Sequence, residues 1–120
     1  MNFKVVVVMP AFNAEHTLRM TYEELPKDAV HTVILVDDGS TDATPEVLQA
    51  FSREARIPFQ AIHKSGPGLS EARNLGAAAA RGEILAFTDD DCYPAPDFIE
   101  ALRHAFEDPR LGFVGGRVLL

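Results

Sequence analysis

The sequence has one cysteine and no long hydrophobic run. Cys92 has no second cysteine to pair with, which excludes an internal disulfide and a multi-cysteine zinc site and favours a reducing compartment. The longest apolar stretch near the start, residues 5–12, contains a proline and is far shorter than the roughly 20 residues of a membrane helix. Because polar residues follow it closely, we interpret it as a buried strand rather than a signal peptide.

Basic residues are also scarce. The net charge is −7, and no basic run could follow a phosphate backbone, which excludes nucleic acid as a partner. The 120 residues are 47% hydrophobic and 24% charged, as in an ordinary globular protein. We therefore expect one domain over residues 1–120 and a cytoplasmic location, at the inner face of the membrane in a longer form.

What the sequence has is an alternation of apolar runs and amphipathic stretches. Four strands are predicted, at 3–9, 32–36, 59–62 and 84–87, with the start of a fifth at 113–120. Helices are predicted at about 15–25 and 70–81. Two more are predicted from the helical spacing of apolar residues within 47–55 and 98–106. Asn13 and Thr44 are candidate N-caps, Gly82 is a candidate C-cap, and Leu75 is expected to face the core.

This order predicts an α/β fold with a Rossmann-like, mostly parallel sheet flanked by helices. Ligands of such sheets bind beyond the carboxyl ends of the strands. We call this edge of the sheet the rim. It holds the loops that follow the four predicted strands. These loops contain most of the polar side chains that could bind a ligand or take part in a reaction.

The loop after the fourth strand is strongly acidic. Asp89, Asp90 and Asp91 are adjacent, so their repulsion predicts a positive group nearby. Since side chains alternate along an extended chain, Asp89 and Asp91 could point the same way and hold Mg²⁺ or Mn²⁺, with Asp90 opposite. A solvated acidic turn explains the spacing equally well. Cys92 is a poor ligand for a hard cation, and we expect it to pack inside.

The other loops are ambiguous when each is taken alone. An acidic residue in 37–42 could accept a hydrogen bond from a ribose or a base, although this segment also has turn-forming and capping residues. The glycines of 65–70 and the nearby Arg73 suit a diphosphate at a helix N-terminus, but Arg73 could equally be solvated. His63 and Lys64 could add positive charge to the rim, and Phe12 and Tyr93 could stack on a base or simply pack.

Four segments in series resemble glycosyltransferase family 2, whose members are nucleotide-sugar-dependent enzymes with the GT-A fold. They cover nearly all of the chain, as VVVVMPAFNAEHTL, VILVDDGSTDAT, GLSEARNLGAAAARGEILAFTDDD and PAPDFIEAL. The resemblance implies a nucleoside-diphosphate-sugar donor, commonly a UDP-sugar, and a divalent cation, Mg²⁺ or Mn²⁺. It further implies a sugar transfer that inverts the anomeric centre of the donor.

The resemblance also implies roles for individual residues. Asp38 matches the carboxylate that recognises the base, and Arg73 matches an arginine near the base or diphosphate. Asp89 and Asp91 match the outer carboxylates of a D-x-D motif, which contact the ribose and the metal-bound diphosphate. The residues expected to bind the donor are Pro10, Ala11, Phe12, Glu15, Asp38, Arg73, Asp89 and Asp90, and those expected to bind the metal are Asp91 and Asp89.

The chain departs from the family pattern at its end. In relatives the general base and the acceptor-binding elements lie well downstream of the D-x-D motif, so no residue here matches the base. The acceptor, a glycan, a lipid or a small molecule, stays unidentified. Residues 113–120 resemble an unfinished strand, which predicts either a fragment truncated after a fifth strand or a short form whose apolar edge pairs with another chain.

Two other functions remain open at this point. A nucleotidyltransferase would also use metal-binding carboxylates. It would require a glycine- and arginine-rich phosphate loop after the first strand, where this chain has PAFNAEH. A non-catalytic domain that binds a nucleotide sugar, or that associates through its edge, fits the same residues.

Overall fold

A computed structural model of the chain describes residues 3–26, 28–55 and 58–117. Strands and helices alternate along this part of the chain, as predicted. The strands are β1 (Val5–Ala11), β2 (Thr32–Asp38), β3 (Phe59–Lys64) and β4 (Ile84–Phe87), and the helices are α1 (Leu18–Glu24), α2 (Thr44–Glu54), α3 (Leu69–Ala79) and α4 (Phe98–Ala105). In these residues no helix has the length and apolar character needed to cross a membrane.

The four strands form one parallel sheet in the order β3-β2-β1-β4. In the register of the sheet, Val8 of β1 lies between Ile34 of β2 and Phe87 of β4, and Asp38 of β2 lies beside Lys64 of β3. Because all strands run the same way, their carboxyl ends meet at one edge. The predicted α/β fold with a parallel sheet is therefore confirmed.

Both faces of the central strand are covered. Val5, Val7 and Met9 point into a core shared with side chains of α1, α2 and α4. Val6 and Val8 point to the opposite face, where α3 places Ala72 against them. This double coverage explains why β1 is apolar at every position instead of alternating with polar residues.

Three predicted caps are wrong. Asn13 has a φ of 48° and lies four residues before Thr17, the N-cap position of α1. Thr44 is the first residue of α2, and the N-cap position is Ala43. Gly82 follows α3 by three residues and contacts β1 instead, since a Cβ there would lie 2.6 Å from the carbonyl oxygen of Lys4.

Two other expectations fail near the surface. Residues 113–117 form no strand, and 118–120, the rest of the predicted fifth strand, lie outside the described residues. Leu75 is 37% exposed, whereas Gly76 beside it is buried. The reason is that α3 contacts the sheet through Ala72 and Gly76, whose four-residue spacing puts them on one face of the helix.

Gly76 lets α3 lie close to the sheet, because a Cβ there would be 2.3 Å from Cγ1 of Val8. We predict that Gly76→Ala lowers the free energy of unfolding by about 1–3 kcal/mol, as the clash outweighs the higher helix propensity of alanine. Urea denaturation measures this change. Asn74→Ala, on the exposed side of the same helix, serves as the control and should stay within about 0.5 kcal/mol of the parent. An equally stable Gly76→Ala variant would contradict the packing described.

Candidate functional site

The loops after β1 and β2 are joined by hydrogen bonds on the rim. The backbone N–H of Asn13 donates to Oγ of Ser40 at 3.0 Å, and Oδ1 of Asn13 accepts the N–H of Thr41 at 2.8 Å. The positive φ of Asn13 therefore serves a contact between loops rather than a helix cap. Pro10 and Ala11, expected near the donor, are buried at the end of β1 directly before this contact.

Glu15 supports the second loop. Its backbone N–H donates to Oδ2 of Asp42 at 3.3 Å, and its carboxylate accepts the N–H of Ala43 at 3.2 Å, where α2 begins. Burial by itself would raise the pKa of Asp42, but hydrogen bonds from Thr44 and Glu15 lower it below its usual range. The structure thus gives the Glu15 carboxylate a capping role at α2, next to the rim.

Asp37 and Asp38, at the end of β2, are both buried. Oδ1 of Asp38 accepts a hydrogen bond from the N–H of Gly68 at 2.9 Å and forms an ion pair with Nζ of Lys64, also at 2.9 Å. Asp37 accepts the N–H of Ser40 at 3.1 Å and lies 3.3 Å from Nδ1 of His63. Lys64 and His63 of β3 therefore face the two carboxylates at the end of β2.

The loops after β2 and β3 touch at two glycines. Gly39 and Gly66 have φ angles of 75° and 77°, which side chains rarely allow. A Cβ on Gly39 would lie 2.7 Å from the carbonyl carbon of Gly66. Only a residue without a side chain lets the two backbones come this close. The contact leads directly into the N-terminus of α3.

The loop after β4 presents two of its three aspartates to solvent. Asp89 and Asp91 are exposed, and one carboxylate oxygen of each lies within 4.8 Å of the other and of Sγ of Cys92. Nη2 of Arg73, on α3, is 3.4 Å from Oδ1 of Asp89. The positive group expected beside the acidic run is thus an arginine that the sequence places 16 residues earlier.

Asp90 turns away from the other two aspartates. Its carboxylate accepts the N–H of Phe12 at 3.0 Å, and its carbonyl oxygen accepts the hydroxyl of the buried Thr21 at 2.6 Å. Burial raises the pKa of Asp90, the hydrogen bond from Phe12 opposes the shift, and the charges of Asp91 and Asp89 add to it. The net pKa lies above the ordinary value for aspartate.

The donor atoms in this loop suit a hard cation. Two carboxylate oxygens from Asp89 and Asp91 are the kind of ligand that Mg²⁺ and Mn²⁺ prefer. The expectation that Cys92 packs inside is wrong, since the residue is exposed. Partial burial and the charges of Asp91 and Asp89 raise the pKa of its thiol, which keeps it protonated and a poor ligand. These residues therefore fit the predicted divalent ion.

The two rim aromatics do not belong to the core. Phe12 is 48% exposed and Tyr93 is 57% exposed. Their rings are open to a ligand, so the packing interpretation does not explain them.

The sequence did not indicate two contacts that shape the rim. Lys64 was expected to add charge to the rim, but it is buried against Asp38, a residue 26 positions earlier on the neighbouring strand. Thr21 resembles an ordinary helix residue, yet its hydroxyl holds the backbone of the acidic loop. A buried threonine on an otherwise apolar helix face would have been the available signal for the second contact.

Comparison with known proteins identifies the family of this chain. The sequence profile of glycosyl transferase family 2 matches residues 6–119. The chain belongs to this family. It is 33% identical over 114 residues to the uncharacterized glycosyltransferase EpsJ of Bacillus subtilis (strain 168), covering 92% of this chain and 33% of that protein. It is 33% identical over 102 residues to the glycosyltransferase GlyA of Streptococcus pneumoniae serotype 4, covering 82% of this chain and 14% of that protein.

A solved structure shows the same fold. The crystal structure of S. aureus TarS in complex with UDP-GlcNAc superposes on this chain with a TM-score of 0.77 at 22% identity, covering 98% of this chain and 37% of that one. The predicted family 2 resemblance and its fold are thereby confirmed. The chain spans a third or less of the length of EpsJ and GlyA.

Asp90 predicts a pH-dependent stability. Because its native pKa is raised, its contribution to stability is complete below the unfolded pKa and is lost as the pH rises through the native pKa. We predict that Asp90→Asn, which can still accept the Phe12 N–H, resists urea better than the parent at pH 7. The gap should close as the pH falls below the native pKa of Asp90. Urea titrations with a chelator present measure it, with the exposed Asp28→Asn as control. A less stable Asp90→Asn at pH 7 would contradict this account.

Proposed function

We propose that this chain forms the donor-binding part of a glycosyltransferase that transfers a sugar from a nucleoside-diphosphate sugar, specifically a UDP-sugar. The observation that carries the proposal is the placement of Asp89, Asp91 and Arg73 together on the rim of a family 2 fold. Carboxylates for a cation and a guanidinium for phosphate oxygens are what binding of a diphosphate requires.

Asp91 and Asp89 would hold Mg²⁺ or Mn²⁺. When bound, such an ion supplies Lewis-acid neutralisation of the charge on a departing diphosphate. The exposure of both carboxylates supports this role, because neither is consumed by the backbone as Asp90 is. Asp90 would act on the donor indirectly, since its hydrogen bond to Phe12 fixes the loop after β1 against the acidic loop.

Arg73 would turn from Asp89 toward the diphosphate. Their separation of 3.4 Å between exposed side chains leaves the guanidinium free to exchange one anion for another. It stands in the second turn of α3, so the N-terminus of this helix would add favourable dipole potential near the phosphates.

The nucleoside would lie between the loops after β1, β2 and β3. Asp38 would accept a hydrogen bond from the base, while the exposed Phe12 would form the wall beside it, backed by the buried Pro10 and Ala11. Glu15 would support this wall through its bond to Ala43. TarS, which has this fold, has been solved with UDP-GlcNAc and with UDP. That precedent supports a uridine nucleotide here.

The transfer itself would be a single displacement that inverts the anomeric centre, and it needs a general base for the acceptor hydroxyl. We assign no residue of this chain to that role. The donor-binding residues hold the leaving nucleotide and align it for attack, which removes part of the entropic barrier. No described residue is assigned to the acceptor, which would be a glycan, a lipid or a small molecule.

Calorimetric titration of UDP with and without Mn²⁺ tests the proposal. We predict that Mn²⁺ raises UDP affinity at least about tenfold, which corresponds to about 1.4 kcal/mol. Asp91→Asn should abolish this gain while the protein stays folded by circular dichroism, because the variant removes a ligand charge from an exposed side chain. Asp28→Asn, an exposed carboxylate before the amino end of β2, is the matched control and should bind as the parent does.

Two results of this titration would contradict the proposal or part of it. If UDP and other nucleoside diphosphates all fail to bind with Mn²⁺ present, the proposed function is wrong. If binding is intact in Asp91→Asn, this residue does not belong to the metal site.

A further inference from the structure

We propose that Lys64 is a positioning residue that makes Asp38 selective for a uracil base. This inference rests on the proposed function, in which Asp38 meets the base. The family resemblance assigns no role to Lys64. The contacts around its ammonium group supply one.

Lys64 is buried to an unusual degree for a lysine. Its side chain is 5% exposed, and that of Asp38 is 8% exposed. Lysine is almost never this buried unless it is paired, because taking the charge out of water is costly. The ammonium compensates this cost through its ion pair with Oδ1 of Asp38 and by donating a hydrogen bond to the carbonyl oxygen of Gly66.

The pair leaves one oxygen of Asp38 available. Oδ1 is paired with Lys64 and accepts the N–H of Gly68, while no donor in the described ranges 3–26, 28–55 and 58–117 is hydrogen bonded to Oδ2. A carboxylate oxygen can only accept, so it favours a ligand edge that offers an N–H. Uracil offers an N–H at its ring position 3, where cytosine has a lone pair. An oriented Asp38 would therefore discriminate UDP from CDP.

Lys64 also fixes the loop that faces Asp38. Its hydrogen bond to the carbonyl oxygen of Gly66 holds the loop at the residue whose backbone touches Gly39. One ammonium group therefore ties together the end of β2, the loop after β3 and the start of α3. Without it, the carboxylate would lie buried without its cation and would turn to other donors, losing its orientation.

Glu71 provides a matched control. Its carboxylate lies 3.9 Å from Nζ of Lys64, but its side chain is 70% exposed, so this second pair is screened by water. Glu71→Gln removes a charge near the ammonium without touching its bond to Asp38. We expect this variant to bind nucleotides as the parent does.

The test compares UDP and CDP by calorimetry in Mn²⁺ for the parent, Lys64→Met and Glu71→Gln, at a temperature where circular dichroism shows each folded. We expect Lys64→Met to lose at least about tenfold in UDP affinity and to bind UDP and CDP alike. Its affinity for Mn²⁺ alone, measured by electron paramagnetic resonance, should not change. A purely structural lysine would lower the melting temperature and leave the UDP-to-CDP ratio intact, and that result would overturn the inference.

A second pair of variants covers the case in which Lys64→Met does not fold. Asp38→Asn and the double variant Asp38→Asn, Lys64→Met should have UDP-to-CDP ratios within about twofold of each other, because Lys64 acts through Asp38. A larger difference would overturn the inference, since Lys64 would then act on the base directly. A parent chain that binds UDP and CDP equally also overturns it, whereas one that binds neither overturns the proposed function instead.

Discussion

The parallel pairing of β1 with β2 and β4 is the constraint on which the rest of the structure depends. All seven residues of β1 are buried, and their register places Ala11 beside Asp37 and Val8 beside Phe87. Because the strands end at one edge, loop residues up to 78 positions apart come within hydrogen-bond distance. The hydrophobic core thereby positions polar groups that never contact it.

Electrostatics shape this edge in two different ways. Asp38 is neutralised inside the protein by Lys64, in a pair that water hardly reaches. Asp89 and Asp91 are exposed, and the nearby Arg73 compensates them only in part. A buried pair keeps its geometry, whereas an exposed cluster can exchange partners. On the proposed function, the first arrangement recognises the base and the second exchanges its arginine contact for a cation and a diphosphate.

Local patterns predicted the elements, but contacts between distant loops decided the details. Apolar runs were sufficient to place the strands and the acidic loop on one rim, because parallel strands end together. Asn13 and Gly82 were misassigned as caps, since their partners lie 28 and 78 positions away at Thr41 and Lys4. The burial of Lys64 was not predictable either. Nothing in the neighbouring residues shows that β3 will pair beside Asp38.

The most direct test of the account asks whether the rim loops bind metal and nucleotide as one site. Amide NMR spectra of the labelled chain, recorded with Mn²⁺ and, in a separate sample, with diamagnetic Mg²⁺ and UDP, measure this residue by residue. The account predicts that Mn²⁺ broadens the amides of residues 88–93 most strongly and that UDP with Mg²⁺ shifts those of Gly39 and Gly68. Broadening at the opposite edge of the sheet, around His31 and Arg103, with residues 88–93 unaffected, would contradict it.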